Sequence, residues 1–221
     1  MWQALYEELR DQGFVVLSVA MDSRPGDAQP WIDAAKPTYP VLIDREHRLA
    51  DLYQSVNVPQ AVWIDEAGRI VRPAEPAGAY EGFRQMNRTT RELPEEAARR
   101  TAAARTTYLD AIRDWVRRGA ASPHALAAAA ARAHMGAPSE DVARAHASFR
   151  LGQLLIRRGN PEEGQRWLAE ASRLHPESWC IWRQQAGVNE TGLASLPEFW
   201  ARVDALGDRR YYARVDMAGM P

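Results

Sequence analysis

Residues 56–71 read VNVPQAVWIDEAGRIV, from Val56 to Val71. Pro59 stands directly before the apolar run Ala61–Ile64. Proline has no N–H to give to a sheet ladder, so it belongs at the first residue of a strand or on an edge. Asp65-Glu66-Ala67-Gly68 is an acidic-glycine turn, and Arg69–Val71 resumes the extended pattern, which predicts an antiparallel hairpin. Upstream of the hairpin, His47–Gln54 reads as a short helix with Leu49, Leu52 and Tyr53 inward. Before it lies the extended segment Tyr39–Asp44, with Asp44 as a helix cap and His47 as a solvated first-turn residue. Ala28–Ala35 reads as another helix, with Asp27 as its candidate cap. Phe14–Met21 is an unbroken apolar run of the kind buried on both faces in a parallel sheet. Trp2, Leu5, Tyr6 and Leu9 share one face of an opening helix that Gly13 ends. Alternation of helix and strand in this order predicts an α/β layer with a mixed sheet.

The texture changes after Pro73–Gly78, a Pro/Gly-rich stretch that reads as a linker. From about residue 93 the chain is rich in Ala, Arg and Glu and reads as helix throughout. The predicted helices span Pro94–Arg118, with Leu109, Ile112, Trp115 and Val116 as its apolar residues, then His124–Met135, Asp141–Arg158 and Glu162–Leu174. The last two are joined by Gly159-Asn160-Pro161, glycine past one helix and proline opening the next. Leu151, Gly152, Leu155, Gly159, Gly164, Leu168, Ala171 and Pro176 fall at the small and large apolar positions of a tetratricopeptide-like unit. A plain αα-hairpin with coincident spacing is the alternative. The expected organisation is an α/β domain at 1–84 and an all-α helical domain at 93–221, with the hairpin at about 141–176.

Composition bounds the function. With Lys+Arg at 28 and Asp+Glu at 29, the formal net charge is −1, which leaves no basic footprint for nucleic acid or an anionic membrane surface. No apolar run approaches the roughly 18 residues of a membrane span. The acidic, amphipathic start MWQALYEELRDQG lacks the character of a signal peptide, so the expected location is cytoplasmic. Cys180 is the single cysteine, which excludes an intrachain disulfide and any multi-thiolate metal site. It sits in Ser178-Trp179-Cys180-Ile181-Trp182, aromatic helical surroundings that suggest a buried, inert thiol. The five histidines show no metal-ligand spacing and the chain has no glycine-rich phosphate loop, so neither a metal nor a cofactor is expected. Trp167, Trp179, Trp182 and Trp200 read as packing between helices.

The segments FVVLSVAMD, YPVLID, RLADLYQ and VNVPQAVWIDEAGRIV, in that order over residues 14–71, resemble the thioredoxin-like superfamily, in particular its TlpA/ResA and AhpC/TSA branches. The resemblance implies a thioredoxin-like fold in which a cis X-Pro bond starts the strand beside the redox centre. Val58 and Pro59 would then be the substrate-binding residues, the Val58 backbone pairing with an extended substrate segment. A trans proline opening an edge strand is the alternative. The implied activity is disulfide exchange or peroxide reduction, in which a low-pKa thiolate or selenolate attacks the substrate and a resolving thiol releases product.

In the family that nucleophile precedes the first helix, in a W-x-x-C-x-x-C or related motif. Here Met1-Trp2-Gln3-Ala4-Leu5 already reads as that helix, so the first strand and nucleophile loop are missing from the pattern and no catalytic residue is assigned. Two expectations follow. In one, these residues are an N-terminally truncated reading of a longer oxidoreductase. The helical tail resembles that of TlpA/ResA-like selenoproteins with W-A-x-x-U-G, whose UGA codon would be read as a stop. In the other, the α/β half is a non-catalytic scaffold and the helical half grips a protein partner.

Overall fold

The computed structural model describes residues 1–190, 192–194 and 196–221. The chain packs as two compact units, each assembled from both halves of the sequence. One unit comprises Met1–Glu7, Val15–Val58 and Gly136–Trp200; the other comprises Glu8–Phe14, Pro59–Met135 and Ala201–Pro221.

The first unit begins in α1 (Trp2–Leu9), whose Leu5 is buried, and continues through β1 (Ser18–Ala20), α2 (Gln29–Ala35), β2 (Val41–Ile43) and α3 (Arg48–Tyr53). β1 and β2 pair in parallel, Ser18 opposite Val41 and Ala20 opposite Ile43. The parallel pairing follows the sequence reading, but burial on both faces does not. Only three residues of the apolar run form strand, and Val15 and Leu17 are 67% and 57% exposed. Among the described residues β1 pairs only with β2, which leaves its second edge without a strand partner. Helix α2 starts at Gln29 after an Ala28 N-cap that makes no side-chain bond, so Asp27 is not its cap. Asp44 is a cap: its carboxylate accepts from the Arg48 and Leu49 N–H groups at 3.1 and 2.6 Å.

The same unit contains α6 (Glu140–Arg157), α7 (Pro161–Leu174) and α8 (Trp179–Gln185). Ser139 caps α6 by accepting from the Val142 N–H, and Pro161 opens α7. Ala145 and Phe149 of α6, Leu168 and Ala171 of α7 and Ile181 of α8 form its core, flanked by Ile156 and Leu174. Gly152 and Gly164 stand where the two helices cross: a Cβ on either would lie 2.8 Å from the other's carbonyl oxygen. This is the close approach that the spacing of small residues predicts. Trp179, Trp182, Phe199 and Trp200 pack edge-on or tilted beside it, with Trp179 and Phe199 5.8 Å apart.

In the second unit, β3 (Gln60–Ile64) and β4 (Ile70–Pro76) form the expected antiparallel hairpin. Asp65 closes its turn, accepting from the Ala67 and Arg69 N–H groups, with Gly68 at φ 74°. β4 runs through Pro73 to Pro76, so the stretch expected as a linker is largely strand. Among the described residues β4 pairs only with β3, and an edge strand tolerates proline. α4 (Glu95–Arg118) packs behind the hairpin and α5 (Ala128–Met135) follows; α9 (Pro197–Asp204) ends in this unit. Trp63 donates through Nε1 to the Tyr108 hydroxyl at 2.8 Å and stacks on Trp115 at 5.1 Å. Arg72, 1% exposed, forks onto Glu75 and donates to the His124 and Asp216 carbonyls.

Among the described residues the strands therefore make two separate two-stranded ladders, one parallel and one antiparallel, in place of the single mixed sheet expected. No helix among them is long and apolar enough to cross a membrane.

Candidate functional site

The loop after β1, the segment before β3 and helix α8 meet in the first unit. The Cys180 N–H donates to the Val56 carbonyl at 3.1 Å, and Arg183 Nη1 donates to Asn57 Oδ1 at 3.0 Å. Gln184 Oε1 accepts from the Ser23 N–H at 3.0 Å while its Nε2 reaches the Met21 carbonyl at 3.4 Å. Arg24 Nη2 donates to the carbonyls of Arg183, Gln184 and Ala186 at 3.2, 3.2 and 2.7 Å. The last carbonyls of a helix have no intrahelical partner and carry its negative end, so a guanidinium there satisfies both needs.

These parts enclose an open cavity of about 350 Å³ whose walls include Met21, Asp22, Arg24, Val58, Arg183 and Gln184. Burial raises the Asp22 carboxyl above its ordinary value, against the hydrogen bond it accepts from the Arg24 N–H. Val58 is 39% exposed at this rim, and its N–H donates to Asn57 Oδ1 at 2.9 Å. Pro59 is exposed and opens the hairpin of the second unit, where its carbonyl accepts from the Ala77 N–H at 3.2 Å. Among the described residues no thiol lines the cavity. Cys180 is 3% exposed, and burial pushes its thiol up to about 11, against the nearby Arg183 charge. A thiol so raised holds almost no thiolate at neutral pH, as its aromatic setting suggests.

Residues 1–72 match the model of the AhpC/TSA family. This segment is similar to the AhpC/TSA branch of the thioredoxin-like proteins. The matched segment covers about a third of the 221 residues, from α1 to the start of β4, and includes Val58 and Pro59. It does not include Cys180. Searches of curated proteins and of solved structures returned no match to the chain. Among the described residues no three His, Cys, Asp or Glu side chains gather closely enough to hold a metal ion.

Sequence reasoning missed Asp22, Arg24, Arg183 and Gln184. The Asp-x-Arg spacing after the apolar run was a weak signal for the first two. For the pair on α8 there was none, because their role depends on a helix from the far half of the chain docking beside Val58.

His47 was also misread. It is fully buried rather than solvated. Its backbone takes φ 51°, which turns the ring inward onto Phe149, with ring centroids 4.7 Å apart.

Proposed function

We propose that the chain is the non-nucleophilic portion of a thiol- or selenol-dependent oxidoreductase of the AhpC/TSA or TlpA/ResA-like kind. Val58 and Pro59, joined by a cis bond of the family type, border the reacting chalcogen, which stands on a strand and loop outside these 221 residues. The observation carrying this reading is the family match over residues 1–72, a segment that contains no cysteine. The second edge of β1, which pairs with no other strand among the described residues, supports it: an added strand would satisfy the open ladder. The substrate is a disulfide or a peroxide. A thiolate or selenolate attacks it beside Pro59, and a resolving thiol releases product.

A second reading, a non-catalytic thioredoxin-like adaptor whose helices bind a protein partner, draws on a different observation. The Val58 N–H is already engaged by Asn57, which Arg183 holds in turn. Translation of the genomic DNA upstream of Met1, in frame and through one UGA, separates the two. A strand followed by W-x-x-C or W-x-x-U, with peroxide or disulfide reduction by the extended protein, supports the oxidoreductase. Unrelated upstream sequence behind a ribosome-binding site at Met1 supports the adaptor.

A further inference from the structure

His47 and His146 are buried in the first unit with little to hold a proton. His47 lies in the turn that opens α3, 0% exposed, and among the described residues neither of its ring nitrogens has a hydrogen-bond partner. His146, on α6, is 3% exposed and its Nδ1 likewise makes no hydrogen bond. Its Nε2 lies 4.0 Å from Asp51 Oδ1 of α3, while Asp51 Oδ2 accepts from Arg150 Nη1 at 2.7 Å. The His146 ring stands 6.1 Å from that of His175, just past α7.

The charged groups around the pair leave it poorly compensated. On the turn before α3, the Asp44 carboxylate is occupied by the Arg48 and Leu49 N–H groups. Glu46 pairs outward with Arg157 of α6 at 3.4 Å. Asp51 is neutralised by Arg150, and Glu177 acts on His175. No metal explains the grouping, since no set of three such ligands stands together among the described residues.

We propose that His47 and His146 form a proton-operated latch that holds α3 against the α6–α7 hairpin when both rings are neutral and releases it when they are charged. Phe149 offers the His47 ring a face to lie on but no acceptor for a proton, so a charged ring is more stable in water than in this site. α3 leads through Gln54–Asn57 directly to Val58, so release of the latch loosens one wall of the cavity described above.

The sign follows from burial. It holds His47 down to about 4, opposed by Asp44 and reinforced by His146, and lowers His146 as well. The opened state binds its protons near the ordinary histidine value of about 6.5, so the latch is fully closed above that pH and weakens as pH falls toward about 4. His47 alone shifts the closed-to-open ratio by about tenfold between roughly pH 7.5 and pH 5.5.

The test is hydrogen exchange of the full chain, corrected for the intrinsic pH dependence of exchange. Amides of Arg48–Tyr53 should lose about tenfold in protection over that interval, while amides of α4 keep theirs. His47→Phe, which keeps an aromatic ring on Phe149, should flatten the response. A proton titration of the wild-type imidazoles by NMR stands beside it in case the variant fails to fold. His47 titrating near its ordinary value, or α3 protection that does not change with pH, overturns the latch; so does a response of undiminished size in His47→Phe.

Discussion

Gly164→Ala probes the packing that holds the first unit together. A Cβ at Gly164 would stand 2.5 Å from Ile156 Cγ1, 2.8 Å from the Gly152 carbonyl oxygen and 3.1 Å from the Ile156 nitrogen. The first of these can rotate away, but the other two are backbone. Relieving them requires α6 and α7 to separate by several tenths of an ångström along the crossing that carries Phe149, Leu168 and Ala171. Overpacking of this kind costs about 1–3 kcal/mol. Alanine's better helix propensity returns about 1 kcal/mol, so a net loss of up to about 2 kcal/mol is expected. Gly152→Ala meets the Gly164 carbonyl oxygen at 2.8 Å and Leu168 Cδ2 at 3.0 Å, the same crossing from the other side. The double variant should therefore cost less than the sum of the two, because one separation of the helices relieves both. Urea denaturation followed by circular dichroism, with tryptophan fluorescence as a second probe, measures all three. A stabilising Gly164→Ala, or strict additivity in the double variant, would refute the close crossing.

Three further outcomes are expected. Arg72→Met removes the fork to Glu75 and the donors to the His124 and Asp216 carbonyls, leaving Glu75 without its countercharge. Loss of one partner of a buried pair costs about 3–5 kcal/mol, and limited proteolysis near Asp216 should accelerate in step. Asp44→Ala removes the acceptor of two N–H groups at the start of α3 and should cost about 1 kcal/mol, read as faster exchange confined to Arg48–Tyr53. The Cys180 thiol, raised to about 11 by burial, should resist iodoacetamide in the native protein at mildly alkaline pH and react readily in denaturant.

The features legible in the sequence were those fixed by local chemistry. Gly68 and the Asp65 carboxylate specify the β3–β4 turn. Gly159-Asn160-Pro161 separates α6 from α7, and Gly152 with Gly164 fixes how closely the two helices cross. What escaped the sequence depends on partners far along the chain. Val15 and Leu17 look like core residues by composition, yet they stand 67% and 57% exposed beside β1, which pairs only with β2 among the described residues. Pro73 and Pro76 look like linker but sit in an edge strand, where a missing N–H costs nothing. His47 looks like a solvated helix-start residue, but a left-handed backbone turns it onto Phe149, about 100 residues later in sequence. Of the cavity walls, the sequence singled out only Val58, which it took with Pro59 from their family-like context. Arg183 and Gln184 were not legible, since nothing near them signals that α8 docks there.

The proposed function gives the 221 residues no reacting chalcogen of their own: Cys180 is buried and lies outside the segment that matches the AhpC/TSA family. Peroxide consumption and insulin disulfide reduction by the 221-residue chain test this most directly, with the wild type run beside Cys180→Ser. The account predicts that both proteins stay at the rate of the buffer. Robust turnover that survives Cys180→Ser would contradict it.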